Sequence, residues 1–306
     1  MKKDLLWLID ILPEDIWRLI FLTDGIKSGR IDVSDSLRGY VLGMIFEKPS
    51  TRTRVSFEVA MYELGGHAIY LPTQTLQMSR GESIKDTAKV LSRYVDILMA
   101  RVYSHSSLEE FAKYADIPVI NGLSDLAHPV QALSDYYTIY EHFGKLKGIK
   151  VAYVGDGNNV ANSLLMGASK LGIEFNIATP EGYEPSKIYL DYAKKFSLES
   201  GAKIKLYRDP HEAVKGVDVI YTDTFVSMGQ EAEAEERRRV FLPRYQVNMK
   251  LIESAGNEDV VFMHCLPAHR GEEVTDEVID SKYSIVYDQA ENRLHMQKAI
   301  LLWMVD

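Results

Sequence analysis

Short apolar runs, each followed by a turn and then a helix-like pattern, recur along the whole chain and confine it to the α/β class. Tyr40–Phe46 is the first clear case. It is apolar, brief and soon followed by Pro49, which suits a buried strand better than a helix. A first helix is expected around Pro13 to Ile26, and further strand candidates fall at His67–Leu71, Val95–Arg101 and Ile117–Asn121, with helix-like segments between them. Strand, helix and strand in this alternation build a parallel sheet. A long amphipathic stretch from Pro129 to His142 carries Leu133, Tyr136, Tyr137 and Tyr140 on one side and ends before Gly144-Lys145-Leu146-Lys147-Gly148. It reads as a connecting helix. A second set of strands is expected at Lys150–Gly155, Glu174–Ala178, Lys203–Tyr207, Val217–Thr222 and Val260–Cys265. The order predicts two doubly wound parallel-sheet domains joined by long helices. Their expected limits are residues 1–133, with a C-terminal helix at 291–306 returning to them, and residues 134–290; 306 residues suffice for two full cores.

Charge narrows the partners. A formal net charge of -9 argues against nucleic acid or an anionic membrane, since neither is drawn to an acidic surface. An anionic substrate would need a local basic pocket. One cysteine excludes an intrachain disulfide. Met1-Lys2-Lys3-Asp4 soon runs into acidic and polar residues rather than a signal-peptide core, and Leu5 to Ile11 is interrupted by Asp10 and Pro13. A cytoplasmic protein without a membrane span is the expectation. The charged run Glu231 to Arg239 reads as a solvated helix or loop.

The basic pocket has an obvious candidate. Ser50-Thr51-Arg52-Thr53-Arg54 follows the first strand and opens a helix on which Val55, Val59 and Tyr62 share a stripe, with Gly65-Gly66 as the stop. The hydroxyls of Ser50, Thr51 and Thr53, the N–H groups of the first turn and the Arg52 guanidinium would converge on one point. A phosphate dianion fits it. Ser50 could simply cap the helix with both arginines solvated, but two arginines interleaved with three hydroxyls favour the anion site. The run lacks the Gly-x-x-x-x-Gly-Lys frame of a nucleotide loop, so a small phosphate compound is expected rather than ATP.

Ligands of open parallel sheets bind beyond the carboxyl ends of the strands. Arg101 ends the third strand, and His128-Pro129-Val130-Gln131 follows the fourth, with Pro129 at a first helical position. Gly155-Asp156-Gly157-Asn158-Asn159-Val160 raises a competing dinucleotide fold. Val160 stands where the third glycine should be, and the next strand ends without a ribose-binding acid, so an oxidoreductase using nicotinamide dinucleotide is the weaker alternative.

Ser-Thr-Arg-Thr-Arg resembles the carbamoyl-phosphate loop of the aspartate and ornithine carbamoyltransferases, and His-Pro-x-Gln at 128–131 is similar to a second motif of that family. The likeness runs from Ser50 through Arg293 with the motifs in order. It implies transfer of a carbamoyl group from phosphate to an amine, without metal or cofactor. On the implied roles, Ser50, Thr51, Arg52 and Arg101 hold the phosphate, while Thr53, Arg101 and His128 face the carbonyl oxygen, where charge develops. Gln131 and the backbone carbonyl of Leu266, in His264-Cys265-Leu266-Pro267, accept the carbamoyl NH2 beside Cys265. Arg293 also contacts carbamoyl phosphate. Gln77 reaches it from a neighbouring subunit, which implies a homo-oligomer, a trimer or an assembly of trimers.

Within the family, Asp223 followed by Ser227-Met228-Gly229 resembles the ornithine enzymes, as does Cys265 where the aspartate enzymes typically carry proline. Asn159, Asp223, Ser227 and Met228 would then bind L-ornithine, and no arginine stands ready for a second carboxylate. Arg101, His128 and Cys265 are the implied catalytic residues, Cys265 steering or accepting the amine proton. The implied product is citrulline, in arginine metabolism and most readily its biosynthesis. Thr224-Phe225 departs from the more usual aliphatic residue and tryptophan, which bears on loop packing. A related amine such as putrescine is the alternative acceptor, disfavoured because Asp223 and Ser227-Met228 suit an amino-acid head group. Ordered binding and closure of the loop over the substrates complete the expectation.

Overall fold

The computed structural model describes residues 2–227 and 229–306. The chain divides into two compact units, one comprising 1–137 and 291–306 and the other 138–290. The first unit begins with α1 (Pro13–Lys27), then β1 (Val41–Phe46), α2 (Thr51–Glu63), β2 (His67–Pro72), α3 (Ile84–Leu91), β3 (Ile97–Arg101), α4 (His105–Tyr114) and β4 (Val119–Leu123), and α5 (Pro129–Phe143) follows. Its four strands are parallel in the order β2-β1-β3-β4. The second unit contains β5 (Lys150–Val154), α6 (Asn159–Leu171), β6 (Glu174–Ala178), α7 (Lys187–Ser200), β7 (Lys203–Tyr207), α8 (Pro210–Ala213), β8 (Val219–Thr222), α9 (Ala234–Phe241), α10 (Met249–Ser254), β9 (Val261–His264) and α11 (Asp276–Ile279). Its parallel order is β7-β6-β5-β8-β9. α12 (Val286–Val305) carries the chain back to the first unit.

These strands form where the apolar runs lie because a parallel sheet covered on both faces must bury every residue of its central strands. β3 is buried from Ile97 to Arg101, and Leu98, Ala100, Leu108, Phe111 and Val119 pack into one cluster. In the second unit Ala152, Val154, Ile220, Phe225, Phe241 and Phe262 form the corresponding core. Strand order reverses between β1 and β3 in one sheet and between β5 and β8 in the other, so each sheet opens a crevice at the carboxyl ends of those pairs.

One reading needs correction and another gains its direction. The stripe Val55, Val59 and Tyr62 is the outer face of α2: Val55 is 49% and Tyr62 81% exposed, and the helix buries Thr53, Phe57, Ala60 and Met61. The helix is rolled so that Thr53 points inward, which a polar residue on a pattern of apolar ones disguises. The charged run Glu231 to Arg239 is not wholly solvated, since Arg237 is only 8% exposed. No helix among the described residues is long and apolar enough to cross a membrane.

Candidate active site

In the first unit the anion loop follows β1. Ser50 caps α2, its Oγ accepting the N–H of Thr53 at 3.2 Å, so both the helix-cap and the anion-loop readings of this serine describe the same turn. Thr51 is exposed and Arg52 half-buried. Among the described residues no side chain holds the Arg52 guanidinium, and its donors are open to a ligand. Arg54 turns away, stacking on Tyr70 at 3.9 Å and pairing with Glu58 at 3.0 Å.

Thr53 is buried and joins a network of deeply buried polar groups. Arg293, near the start of the returning part of α12, donates to the Gln131 side-chain carbonyl and to Thr53 Oγ1, the latter at 3.4 Å. Gln131 Nε2 donates to Asp135 Oδ1 at 2.8 Å. A carboxylate can only accept, so Asp135 fixes the amide with its oxygen toward Arg293. That oxygen retains a second lone pair. Asp135 was not singled out from sequence, although its spacing from Gln131 on one helix face was there to be read.

Arg101 ends β3 at a register shift. Pairing with β4 passes from Ala100 and Asn121 to Arg101 and Leu123, skipping Gly122, where an added Cβ would lie 2.4 Å from Met99 Sδ. Such bulges re-aim a strand's last side chain. Arg101 and His128 are both buried. Burial first, then the nearby charges of Arg293 and Arg101, hold the His128 imidazole well below its usual range. It is neutral at physiological pH.

Gln77 is exposed in a short 3-10 turn, Gln77–Arg80. A hollow of about 400 Å³ beside this turn is lined by Glu47, Thr73, Gln74, Met78, Ser79 and Tyr103.

In the second unit the groups gather at the ends of β5, β8 and β9. Asp223 Oδ2 accepts Asn158 Nδ2 at 2.7 Å, and its Oδ1 accepts the Cys265 thiol at 3.1 Å. Asn158 also caps α6 through the N–H groups of Val160 and Ala161. Asn159 is therefore not the cap; it is the half-buried first residue of the helix. Leu266 sits in the left-handed region, φ 56°, with a cis peptide to Pro267. A non-glycine residue there costs about 1–3 kcal/mol. The turn is held by His264, whose Nδ1 accepts Leu266 N–H at 2.9 Å while its Nε2 meets Glu273 Oε1 at 3.1 Å. Burial raises the Glu273 carboxyl, but the hydrogen bond and charge of His264 and the His269 N–H outweigh it and the net shift is downward.

Asp223, His264 and Cys265 bring a carboxylate oxygen, a ring nitrogen and a sulfur within 4.8 Å of one another. A soft divalent ion takes such donors, but both nitrogens of His264 are already engaged and one bond would have to break.

Ser227 lies half-buried with its N–H on Gln230 Oε1 at 3.0 Å, and Met228 lies outside the described residues. Beneath this loop Arg237 donates to Asp156 Oδ2 at 2.9 Å, to the Phe225 carbonyl at 3.2 Å and to Glu233 Oε2 at 3.1 Å. Burial, opposed by Arg237 and reinforced by Asp223, pushes the Asp156 carboxyl up to about 6. Phe225 stacks on Phe241 at 4.7 Å, so the departure at 224–225 is absorbed in the core. The glycine turn 155–157 packs against another stretch of chain: Gly157 N–H donates to the Tyr183 carbonyl at 2.8 Å, and a Cβ there would lie 2.2 Å from Pro185 N.

The family model for the aspartate/ornithine carbamoyltransferase carbamoyl-P binding domain matches residues 3–141, and that for the Asp/Orn binding domain matches 147–304. The chain belongs to the aspartate/ornithine carbamoyltransferase family. An ornithine carbamoyltransferase of Pyrococcus horikoshii is 59% identical over 98% of this chain and 94% of its own length. One of Bacillus subtilis is 56% identical over 98% and 92%. The solved structure of ornithine carbamoyltransferase from Pyrococcus furiosus, 59% identical, aligns with a TM-score of 0.94 over 98% of this chain and 96% of that one. A curated Pyrococcus furiosus relative, also 59% identical over 98% of this chain and 95% of its own, is named anabolic.

Proposed function

We propose that this member of the family is an ornithine carbamoyltransferase, converting carbamoyl phosphate and L-ornithine to L-citrulline and phosphate in arginine biosynthesis. The observation that carries the chemistry is the buried cluster in which Arg293 donates to Thr53 Oγ1 and to the Gln131 carbonyl, with Arg101 and His128 also buried and the His128 imidazole held low by burial and by the charges of Arg293 and Arg101. In this reading residues 1–133 with 291–306 bind carbamoyl phosphate and residues 134–290 bind ornithine.

Ser50, Thr51, Arg52 and the first-turn N–H groups hold the phosphate, with Gln77 supplied by a neighbouring subunit. Thr53, Arg101 and His128 donate to the carbonyl oxygen as it becomes an oxyanion. Gln131, Cys265 and the Leu266 carbonyl take the carbamoyl NH2, and Arg293 orients both Gln131 and the ligand. The ornithine side-chain amine attacks the carbonyl carbon, the C–N bond forms, the C–O bond breaks and phosphate leaves. Phosphate is a good leaving group, so the groups named suffice to stabilise the charge.

Asn159, Asp223, Ser227 and Met228 bind the amino acid. An acid paired with a thiol and an amide suits an ammonium-bearing acceptor better than one with a second carboxylate. The amine must be neutral to attack, and for a group of lysine-like pKa that costs about 4 kcal/mol near pH 7.4. Cys265 and Asp223 help to receive its proton. Exposed Val55, Tyr62 and Tyr94 on the first unit support a homo-oligomer, and we place the enzyme in the cytoplasm. A steady-state assay with ornithine, aspartate and putrescine as rival acceptors tests the reading. Citrulline formation is expected; preference for either rival, or no turnover with carbamoyl phosphate, would overturn it.

A further inference from the structure

The turn that carries His128 is held from behind by a second, buried imidazole. His105 is the first residue of α4 and is 3% exposed. Its Nδ1 lies 2.8 Å from Ser124 Oγ, and its backbone N–H donates to Asp125 Oδ1 at 2.7 Å. Ser124 closes the turn that leads into α5. Its N–H donates to the Ala127 carbonyl at 2.9 Å, and its Oγ accepts the Ala127 N–H at 3.2 Å and Asn121 Nδ2–H at 3.3 Å. Ala127 immediately precedes His128.

Proton placement follows from these contacts. A serine hydroxyl offers two lone pairs and one hydrogen. Two N–H groups already point at its oxygen, so the hydroxyl hydrogen belongs in the short contact to His105 Nδ1. The imidazole is then an acceptor at Nδ1 and carries its own hydrogen on Nε2, a buried nitrogen with no hydrogen-bond partner among the described residues. Trp7 covers the ring, stacked at 5.1 Å, and is itself tied by its indole N–H to Asp10 Oδ2 at 2.6 Å. An imidazolium would aim a third N–H at Ser124 Oγ. The displaced hydroxyl hydrogen would lose that short contact, and the Ala127 carbonyl, 3.4 Å away, already accepts from Ser124 N–H and Asn121 Nδ2.

We propose that His105 is a positioning residue for carbamoyl transfer: as a neutral acceptor it locks the Ser124 hydroxyl, and through it the 124–127 turn that aims His128 at the carbonyl oxygen. The inference rests on the role given to His128 above. The charged groups around the ring are Glu109 on its own helix, Asp125 from the turn after β4 and Asp10 from the N-terminal segment. All three favour the imidazolium, but burial is the larger effect and holds the ring below its usual range. Because the neutral form is the one the fold favours, the lock is complete above the ordinary imidazole value of 6.5 and opens as pH falls through the lower value in the folded protein.

The test measures kcat and both KM values from acid to alkaline pH on the full-length enzyme for His105→Leu, His105→Gln, Ser124→Ala and His128→Ala. Glutamine keeps an acceptor for the Ser124 hydroxyl but does not titrate. His105→Leu and Ser124→Ala should each lower kcat about fivefold to tenfold while the ornithine KM moves less than about twofold. His105→Gln should restore most of the loss and shift the acid limb of kcat to lower pH. A parental kcat in His105→Leu, or a Gln variant that melts like the parent yet stays as slow as the Leu variant, would overturn the proposal. Should the Leu variant not fold, an acid limb in His105→Gln identical to the parent's overturns it equally. Full turnover in His128→Ala would instead sink the reading of His128, whereas loss there with none in His105→Leu defeats this inference alone.

Discussion

The strand ends of the two units gather buried groups of opposite predominant charge and keep them in different ways. At the strand ends of the first, Arg101, Arg293 and His128 gather with Thr53 and Gln131. At those of the second, Asp156, Asp223 and Glu273 gather with Arg237, Asn158, His264 and a thiol. Burial pushes an imidazole down in one and a carboxyl up to about 6 in the other. The first arrangement concentrates positive charge for a dianion. The second matches its acids with donors from the same unit, so a zwitterion can enter with little change in net charge. On the proposed roles, electrostatic stabilisation of the reaction falls to the first unit, and selection of the acceptor to the second.

The comparison breaks most sharply at Arg101. Arg101→Ala should reduce turnover by about 10²–10³ at saturating substrates, the usual cost of an oxyanion donor. A near-parental kcat would mean that the first unit's charge only recruits the ligand. Arg237→Ala should act on the other side, raising the ornithine KM about tenfold, or about 1.4 kcal/mol, with carbamoyl phosphate binding unchanged in calorimetry. Its guanidinium fixes the base of the 225–233 loop, and an equal loss for both substrates would deny that division of labour.

These interactions differ in how far they could be read from the chain. The strands were visible because central parallel strands are apolar throughout, and the observed ranges fall within a residue or two of the runs. Residues at their ends were visible where a motif marked them. Arg237 was not, because its partner Asp156 lies 81 positions away and its neighbours in sequence are solvated charges. His105 was hidden for the same reason: only the fold brings it to Ser124. The buried face of α2 was not legible in the stripe of Val55, Val59 and Tyr62 because Thr53, a polar residue, occupies the buried side.

The carboxyl beneath the acceptor loop offers a subtler probe. A group whose pKa rises from 3.8 to about 6 on folding contributes stability below pH 4 that is lost as pH climbs through 6. Asp156→Asn should remove that slope. Its stability relative to the parent should improve by up to roughly 3 kcal/mol between pH 4 and 6.5 and then level off, as denaturant melts would show. A parallel pair of stability curves would place the titration elsewhere.

The smallest effect concerns the scaffold of the first unit. Gln297 on α12 is fully buried, and neither atom of its amide has a hydrogen-bond partner. Gln297→Met fills similar space without an orphaned amide and should stabilise the protein by about 1 kcal/mol with kinetics unaltered. A lowered melting temperature would show that the amide is satisfied in solution.

Gly157 limits how such an enzyme can diversify. With another stretch of backbone 2.2 Å from where a Cβ would sit, any side chain must push the 184–185 segment outward. Exchange at this position is thereby closed to any descendant that keeps the 184–185 segment where it lies.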